Sequence, residues 1–210
     1  RVGFVGSTGS GKSTTLDLLM GLLMPTDGEL LVDGQPICGN RVRAWQQTIT
    51  HVPQSIYLAD ATLAENIAFG VPPDTIDQVR VQQAARQAQI ADFIERQPEG
   101  YNSSVGERGI LLSGGQRQRI GIARALYQKA SVMVFDEATS ALDNTTEQLV
   151  MDAIEGLSSE LTVLFIAHRL TTLRRCDTIV ELEHGQVVAQ GTYEQLLNNS
   201  PSFRRMARAI

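Results

Sequence analysis

Cysteine is nearly absent: Cys38 and Cys176 are the two in 210 residues, far apart and without CxxC spacing. That excludes a disulfide scaffold and a cysteine-cluster zinc site, and it suits a reducing cytoplasm. Aromatic residues make up 5% and prolines number 7, yet hydrophobic residues reach 42%, so the composition is that of a folded core and not of a disordered chain. No apolar run approaches the roughly 18 residues needed to cross a bilayer; the best, from Leu16 to Met24, is interrupted by Asp17 and Gly21. Basic charge is in deficit, 18 residues against 23 acidic ones for a net −5, which argues against coating nucleic acid by charge alone. The length corresponds to about 1.4 ordinary domains, one large domain or one with a subdomain, and suffices to bury a core unaided. There is no internal repeat and no low-complexity tract. Arg1-Val2-Gly3-Phe4-Val5 reads as a buried strand already under way and not as a leader. The expectation is a chain cut from a longer one on its N-terminal side.

What is present has an α/β pattern. Val2–Val5, Val132–Phe135 and Thr162–Ala167 are short apolar runs without strict alternation, as expected of parallel strands buried on both faces. Helical patterns separate them. Leu16, Leu19, Met20 and Leu23 share one helical face, and Pro25 with Gly28 is expected to end that helix. Asn144 and Glu147 have N-cap and N3 spacing ahead of a helix to Leu157, as do Thr192 and Gln195 ahead of Leu196-Leu197. Strands alternating with helices predict a parallel sheet with helical crossovers. From Asp74 to Gln97 the chain is polar and rich in Ala, Gln and Arg, so it reads helical. With Ser113–Gln128 it is expected to form an inserted helical subdomain over 71–129, leaving a catalytic core over 1–70 and 130–210.

The strongest chemical signal is Gly6-Ser7-Thr8-Gly9-Ser10-Gly11-Lys12-Ser13, a G-x-x-x-x-G-K-[ST] loop between an apolar strand and an amphipathic helix. A flexible Gly/Ser turn with an exposed lysine has the same composition, but the strand and helix in this order favour phosphate binding. Glycines let successive backbone N–H groups turn inward on an anion, and the helix N-terminus adds its dipole. Lys12 supplies a point charge for β- and γ-phosphates, and Ser13 a hydroxyl for Mg²⁺. Asp136 and Glu137 follow the second strand. Alone, such a pair is often a solvated strand end. With a phosphate loop in the same chain, Asp136 is expected to hold Mg²⁺ through water and Glu137 to polarise the attacking water. His168 closes the third strand on the same side of the sheet and is expected to contact the γ-phosphate. Leu112-Ser113-Gly114-Gly115-Gln116 opens another helix with capping-box spacing. Its two glycines, each costing about 1 kcal/mol within a helix, point to a ligand or a second backbone approaching closely. Two anion-binding helix starts, one of them with a lysine, suit a head-to-tail dimer with nucleotide between unlike faces.

Taken together these motifs make the chain resemble the nucleotide-binding domain of an ATP-binding cassette (ABC) transporter along essentially its whole length. The loop at Gly6–Ser13 matches the family's Walker A motif, Val132–Asp136 its second nucleotide motif and Leu112–Gln116 its LSGGQ signature. The resemblance implies an α/β P-loop ATPase core using ATP and Mg²⁺. Gly6, Ser7, Thr8, Gly9, Ser10, Gly11, Lys12, Ser13 and Thr14 are then the nucleotide cradle, and Glu137 and His168 the catalytic pair. It further implies Gln54 in His51-Val52-Pro53-Gln54 as a Mg²⁺ contact beside Ser13 and Asp136, and Ser140-Ala141-Leu142-Asp143 as the loop crossing the dimer interface. Ser113, Gly114, Gly115, Gln116 and Asp143 would meet the nucleotide of a second cassette, with an identical copy expected.

Tyr57–Ile67 and Ser104–Gly109 resemble exporter-type cassettes, which implies a membrane domain upstream in the same polypeptide and a place on the cytoplasmic face of a membrane. The family's adenine-stacking aromatic and most of its antiparallel β-subdomain precede the first motif and are not in this sequence. That is expected to weaken nucleotide binding by about 1–3 kcal/mol. The alternatives are an importer cassette on a separate polypeptide, or a non-transport ABC ATPase acting on DNA or ribosomes. The latter is disfavoured by the absence of a heptad run or basic arm, the one arginine cluster being Arg204, Arg205 and Arg208.

Overall fold

The computed structural model describes residues 1–139, 141–157, 161–166 and 169–209. In chain order the first elements are β1 (Val2–Val5), α1 (Lys12–Leu19), β2 (Leu31–Val32), β3 (Gln35–Pro36), α2 (Asn40–Gln46) and β4 (Ile49–Val52). There follow α3 (Leu63–Ile67), α4 (Gln78–Gln87), α5 (Ala91–Glu95), α6 (Gly114–Gln128) and β5 (Val132–Asp136). The last are α7 (Asn144–Glu155), β6 (Thr162–Ile166), α8 (Leu170–Leu173), β7 (Thr178–Glu183), β8 (Gln186–Gly191), α9 (Tyr193–Asn199) and α10 (Pro201–Ala209). They form two units, one of Arg1–His51, Ser131–Glu137 and Thr162–Ile210, the other of Val52–Ala130 and Ala138–Leu161. Among the described residues no helix is long and apolar enough to cross a membrane.

The first unit is built on a sheet of order β4-β5-β6-β1-β7-β8. Neighbours from β5 to β7 run parallel, and β8 returns antiparallel to β7. The three apolar runs expected as interior strands are β1, β5 and β6, with Ala167 outside the described residues. Phe135 and Phe165 stand opposite one another in register and stack at 5.2 Å. On one face Phe4, Leu16, Met20, Val132, Val134, Ile166 and Leu182 close into a core, each of the larger side chains contributing about 1.5–3 kcal/mol on burial. The β7–β8 turn is His184-Gly185, with φ of 50° and 77°, the type I′ geometry that two-residue hairpins favour.

Two local expectations are corrected. Helix α1 ends at Leu19, not before Pro25, and Leu22 and Leu23 are 60% and 46% exposed. Gly21 stops it: at φ 67° it donates to the Leu18 carbonyl while Leu22 N–H donates to that of Asp17, a Schellman cap. Trp45 Nε1 and Gln46 Nε2 then donate to the carbonyls of Leu19 and Gly21 at 2.8 and 3.0 Å. The cap of α7 is Asp143 and not Asn144, its carboxylate accepting from Thr146 N–H at 3.0 Å. An aspartate cap one residue earlier leaves Asn144 as the first helical residue, and it takes Glu147 out of the box. The Thr192–Gln195 box caps α9 as expected.

The second unit is helical, and its interior includes Ile67, Val81, Ile90, Ile94, Ile120 and Ile122. Asn66, wholly buried, is satisfied on every side that its amide offers. Its Oδ1 accepts from Ala59 N–H and its Nδ2 donates to the carbonyls of Ala59 and Thr62. It thereby folds the turn ahead of α3.

Both cysteines are free thiols; Cys38 is exposed, and burial pushes the Cys176 thiol up to about 12. In the native chain at pH 8 one thiol is expected to react with a disulfide reagent, and two after denaturation. Two fast thiols in the native state would contradict this packing.

Candidate functional site

Strand β1 leads directly into the loop 6–13. Gly6 (φ 151°), Gly9 (φ 80°) and Gly11 (φ 100°) hold backbone conformations that side chains resist. At Gly6 a Cβ would also collide with the Leu182 carbonyl and Ser10 Oγ. Gly11 is the N-cap of α1 and brings no side-chain cap, so the helix's first amides are left for another acceptor. The loop is braced from within by Ser10 N–H donating to the Ser7 carbonyl at 3.1 Å. From outside, Gly185 N–H of the β7–β8 turn donates to the Ser10 carbonyl at 3.0 Å.

Lys12 is 8% exposed, and its Nζ donates to the carbonyls of Gly6 and Ser7 at 2.8 and 3.0 Å. The ammonium thus lies folded across the loop. Burial lowers its pKa, and the nearby Glu137 and Asp136 charges pull it back up. Ser13 and Thr14 are exposed on the first turn of α1. Ser10 Oγ is buried without a hydrogen-bond partner among the described residues.

Register places Asp136 level with Ile166 on β6, and Ile166 level with Phe4 on β1. The carboxylates therefore stand beside the start of the loop, on the C-terminal edge of the parallel strands where ligands of such sheets bind. Desolvation raises the Asp136 pKa most; the His51 charge opposes that, Glu137 and Asp17 add to it, and Lys12 opposes it. Glu137 adopts φ 50° and its N–H donates to the Ile166 carbonyl at 3.2 Å. Left-handed backbone costs a residue with a Cβ about 1–2 kcal/mol, and such strain persists where surroundings impose it, commonly at functional positions.

The donor set fits Mg²⁺. A crowded carboxylate and a serine hydroxyl are hard oxygen ligands, and such a site takes its remaining ligands from substrate phosphates and water. Among the described residues no cluster of three His, Cys, Asp or Glu forms a self-sufficient metal cage.

Gln54, Ser113–Gln116 and Asp143 belong to the second unit. Gln54 is exposed in the segment after β4. Ser113 caps α6: Gln116 N–H donates to Ser113 Oγ at 3.3 Å, and Ser113 N–H to Gln116 Oε1 at 2.7 Å. A Cβ on Gly115 would lie 3.1 Å from the Ala141 carbonyl, so part of the glycine requirement comes from this chain's own backbone. Asp143 caps α7. His168 and Ser140 lie outside the described residues.

A family model described as ABC transporter matches residues 1–140. The chain belongs to the ABC transporter family. It is 44% identical over 93% of its length to the ATP-dependent lipid A-core flippase of Cupriavidus pinatubonensis, covering 33% of that protein. It is 42% identical over 98% of its length to the ABC transporter ATM1 of Toxoplasma gondii, covering 18% of it. A solved structure of a bacterial Atm1-family ABC exporter with ATP bound superposes with a TM-score of 0.93 at 41% identity, over the whole of this chain and 36% of that one. The chain thus spans about a third of the lipid A-core flippases it matches. Its mostly parallel sheet flanked by helices is that of an ABC ATPase domain.

Some contributors were not singled out from the sequence. The His184-Gly185 turn has a readable signal, an X-Gly pair between two apolar strands. Gln118, a buried polar residue on α6, has no such signal.

Proposed function

We propose that this chain is the ATP-hydrolysing motor domain of an exporter, one of two cassettes at the cytoplasmic face of a membrane. One juxtaposition carries the reading. A phosphate loop with a buried lysine opens from β1, and two carboxylates end β5 of the same parallel sheet, the second in strained backbone. In this reading the triphosphate lies in loop 6–14, and Lys12 exchanges the Gly6 and Ser7 carbonyls for β- and γ-phosphate oxygens. Glu137 accepts a proton from the attacking water as its oxygen bonds to the γ-phosphorus and the bond to the ADP oxygen breaks. Ser13, Gln54 and Asp136 are the residues that would hold Mg²⁺, which when bound neutralises phosphate charge. His168 contacting the γ-phosphate completes the proposed set.

The second half of the site would come from another cassette, an identical copy being the expected partner. It would present Ser113, Gly114, Gly115 and Gln116 at the start of α6, together with Asp143. A membrane domain upstream in the same polypeptide would turn closure and reopening of the pair into export, and nucleic acid is not an expected partner. The relatives named as flippases and as an Atm1-family exporter support this direction of transport, as do the exporter-like segments at Tyr57–Ile67 and Ser104–Gly109.

Ser113 is exposed, so Ser113→Arg places a bulky cation at the proposed interface without filling a core. MgATP binding by the monomer is expected to hold within about twofold, and ATP-dependent dimerisation, read by light scattering in a Glu137→Gln background, to disappear. A Ser113→Arg chain that still dimerises with MgATP would rule out the sandwich.

A further inference from the structure

The end of β7 and its turn into β8 pack against the phosphate loop at both ends of the loop. At the start, the Leu182 carbonyl occupies the space that a Cβ on Gly6 would need. At the end, a Cβ on Gly11 would lie 3.3 Å from Gly185 Cα. Beside it, Gly185 N–H donates to the Ser10 carbonyl at 3.0 Å. All of these residues belong to the sheet unit. The hairpin is shaped for this approach. Leu182 pairs with Val187 and Glu183 with Gln186, which leaves His184 and Gly185 as the turn. Glu181 pairs with Ala189, so Val188 is an extra residue on β8, and a bulge of this kind bends and twists its strand.

The Ser10–Gly11 peptide is trans, and a trans peptide points its C=O and its N–H to opposite sides of one plane. The turn that holds the Ser10 carbonyl therefore also directs the Gly11 N–H away from itself. Gly9 and Gly11, at φ 80° and 100°, stand on either side of Ser10. Glycine has more conformational freedom to lose than any other residue, so this stretch of the loop sets its own peptide planes poorly. Whatever ordering is left undone before a ligand arrives is subtracted from its affinity. Gly185 is exposed at φ 77°, and a Cβ there would meet nothing within 4 Å. Its glycine answers to the left-handed turn, not to a lack of space.

We propose that Gly185 is a positioning residue for nucleotide binding: its N–H fixes the Ser10–Gly11 peptide so that the Gly11 N–H faces the phosphates before they arrive. The proposal rests on loop 6–14 being the triphosphate site. The bond involves neither Asp136 nor Glu137. Displacing the turn thus weakens MgATP binding, while turnover of the nucleotide that does bind is unchanged.

The test compares three altered turns in the chain, with MgATP titrated calorimetrically and phosphate release followed at saturating MgATP. Gly185→Asn keeps the N–H and tolerates left-handed backbone. Gly185→Val is β-branched and resists it. In the third, two glycines inserted between His184 and Gly185 make a four-residue hairpin loop, which keeps β7 paired with β8. The Val and inserted chains are expected to bind MgATP about tenfold more weakly, with kcat within about twofold of the parent. Gly185→Asn is expected to stay within about threefold in both. Two displaced turns guard against one of them failing to fold. Parental affinity in either displaced-turn chain, a fall in kcat at unchanged KM, or an equal loss of affinity in Gly185→Asn overturns the proposal. Lys12→Met runs alongside. If it binds MgATP like the parent, the reading of the loop fails; if it binds weakly while the displaced-turn chains bind normally, the role of Gly185 alone fails.

Discussion

Glu137→Gln is expected to lower ATP turnover by about a hundredfold or more while MgATP still binds. The substitution is isosteric, so the left-handed backbone and the bond from its N–H to the Ile166 carbonyl are retained. What disappears is the proton acceptor. The like charge that helps to raise the Asp136 pKa disappears with it. The Asp136 carboxyl then titrates lower, so Mg²⁺-dependent nucleotide binding is expected to persist to more acidic pH in the variant than in the parent. Phosphate release and fluorescent-nucleotide titration on the same preparations separate the two effects. Turnover at the parental rate would mean that another group activates the water.

Lys12→Met is expected to weaken MgATP binding by about ten- to a hundredfold, the scale of a lost charge-assisted hydrogen-bond set to phosphate. Methionine keeps most of the buried stem and removes the ammonium. The resting chain changes too, because the Gly6 and Ser7 carbonyls lose their Nζ donor, so a modest drop in Tm without nucleotide is part of the expectation. Lys12→Arg should not rescue binding, since a rigid planar fork does not replace a point charge inside a closed loop. Isothermal titration with MgATP provides the measurement, and parental affinity in Lys12→Met would place the triphosphate elsewhere.

Much of the fold around loop 6–13 was legible because its signals are local. Loop 6–13 needs glycine at particular turns, β1, β5 and β6 need continuous apolar runs, and the boxes at Ser113–Gln116 and Thr192–Gln195 need two residues at fixed spacing. Errors arose where two local signals competed. At α1 the expected stop was Pro25 with Gly28, and the left-handed Gly21 ended the helix before it. At α7 the expected cap was Asn144, but the neighbouring Asp143 carboxylate reaches Thr146 N–H and caps the helix. The bonds from Ala141 to Gln118 and from Thr139 to Glu147 could not be read at all. They join loop positions to side chains on helices, Thr139 Oγ1 to Glu147 Oε1 and Ala141 N–H to Gln118 Oε1, and no local spacing announces either partner. The strain at Glu137 is likewise a property of backbone geometry that the residue's identity does not announce.

The most direct test of this account is the position of Lys12 Nζ in a crystal structure of the Glu137→Gln chain with MgATP. The account predicts the triphosphate within loop 6–14, Nζ withdrawn from the Gly6 and Ser7 carbonyls, and its hydrogen bonds made to β- and γ-phosphate oxygens. Nucleotide bound with Nζ still on those carbonyls, or a triphosphate lying outside the loop, would contradict it.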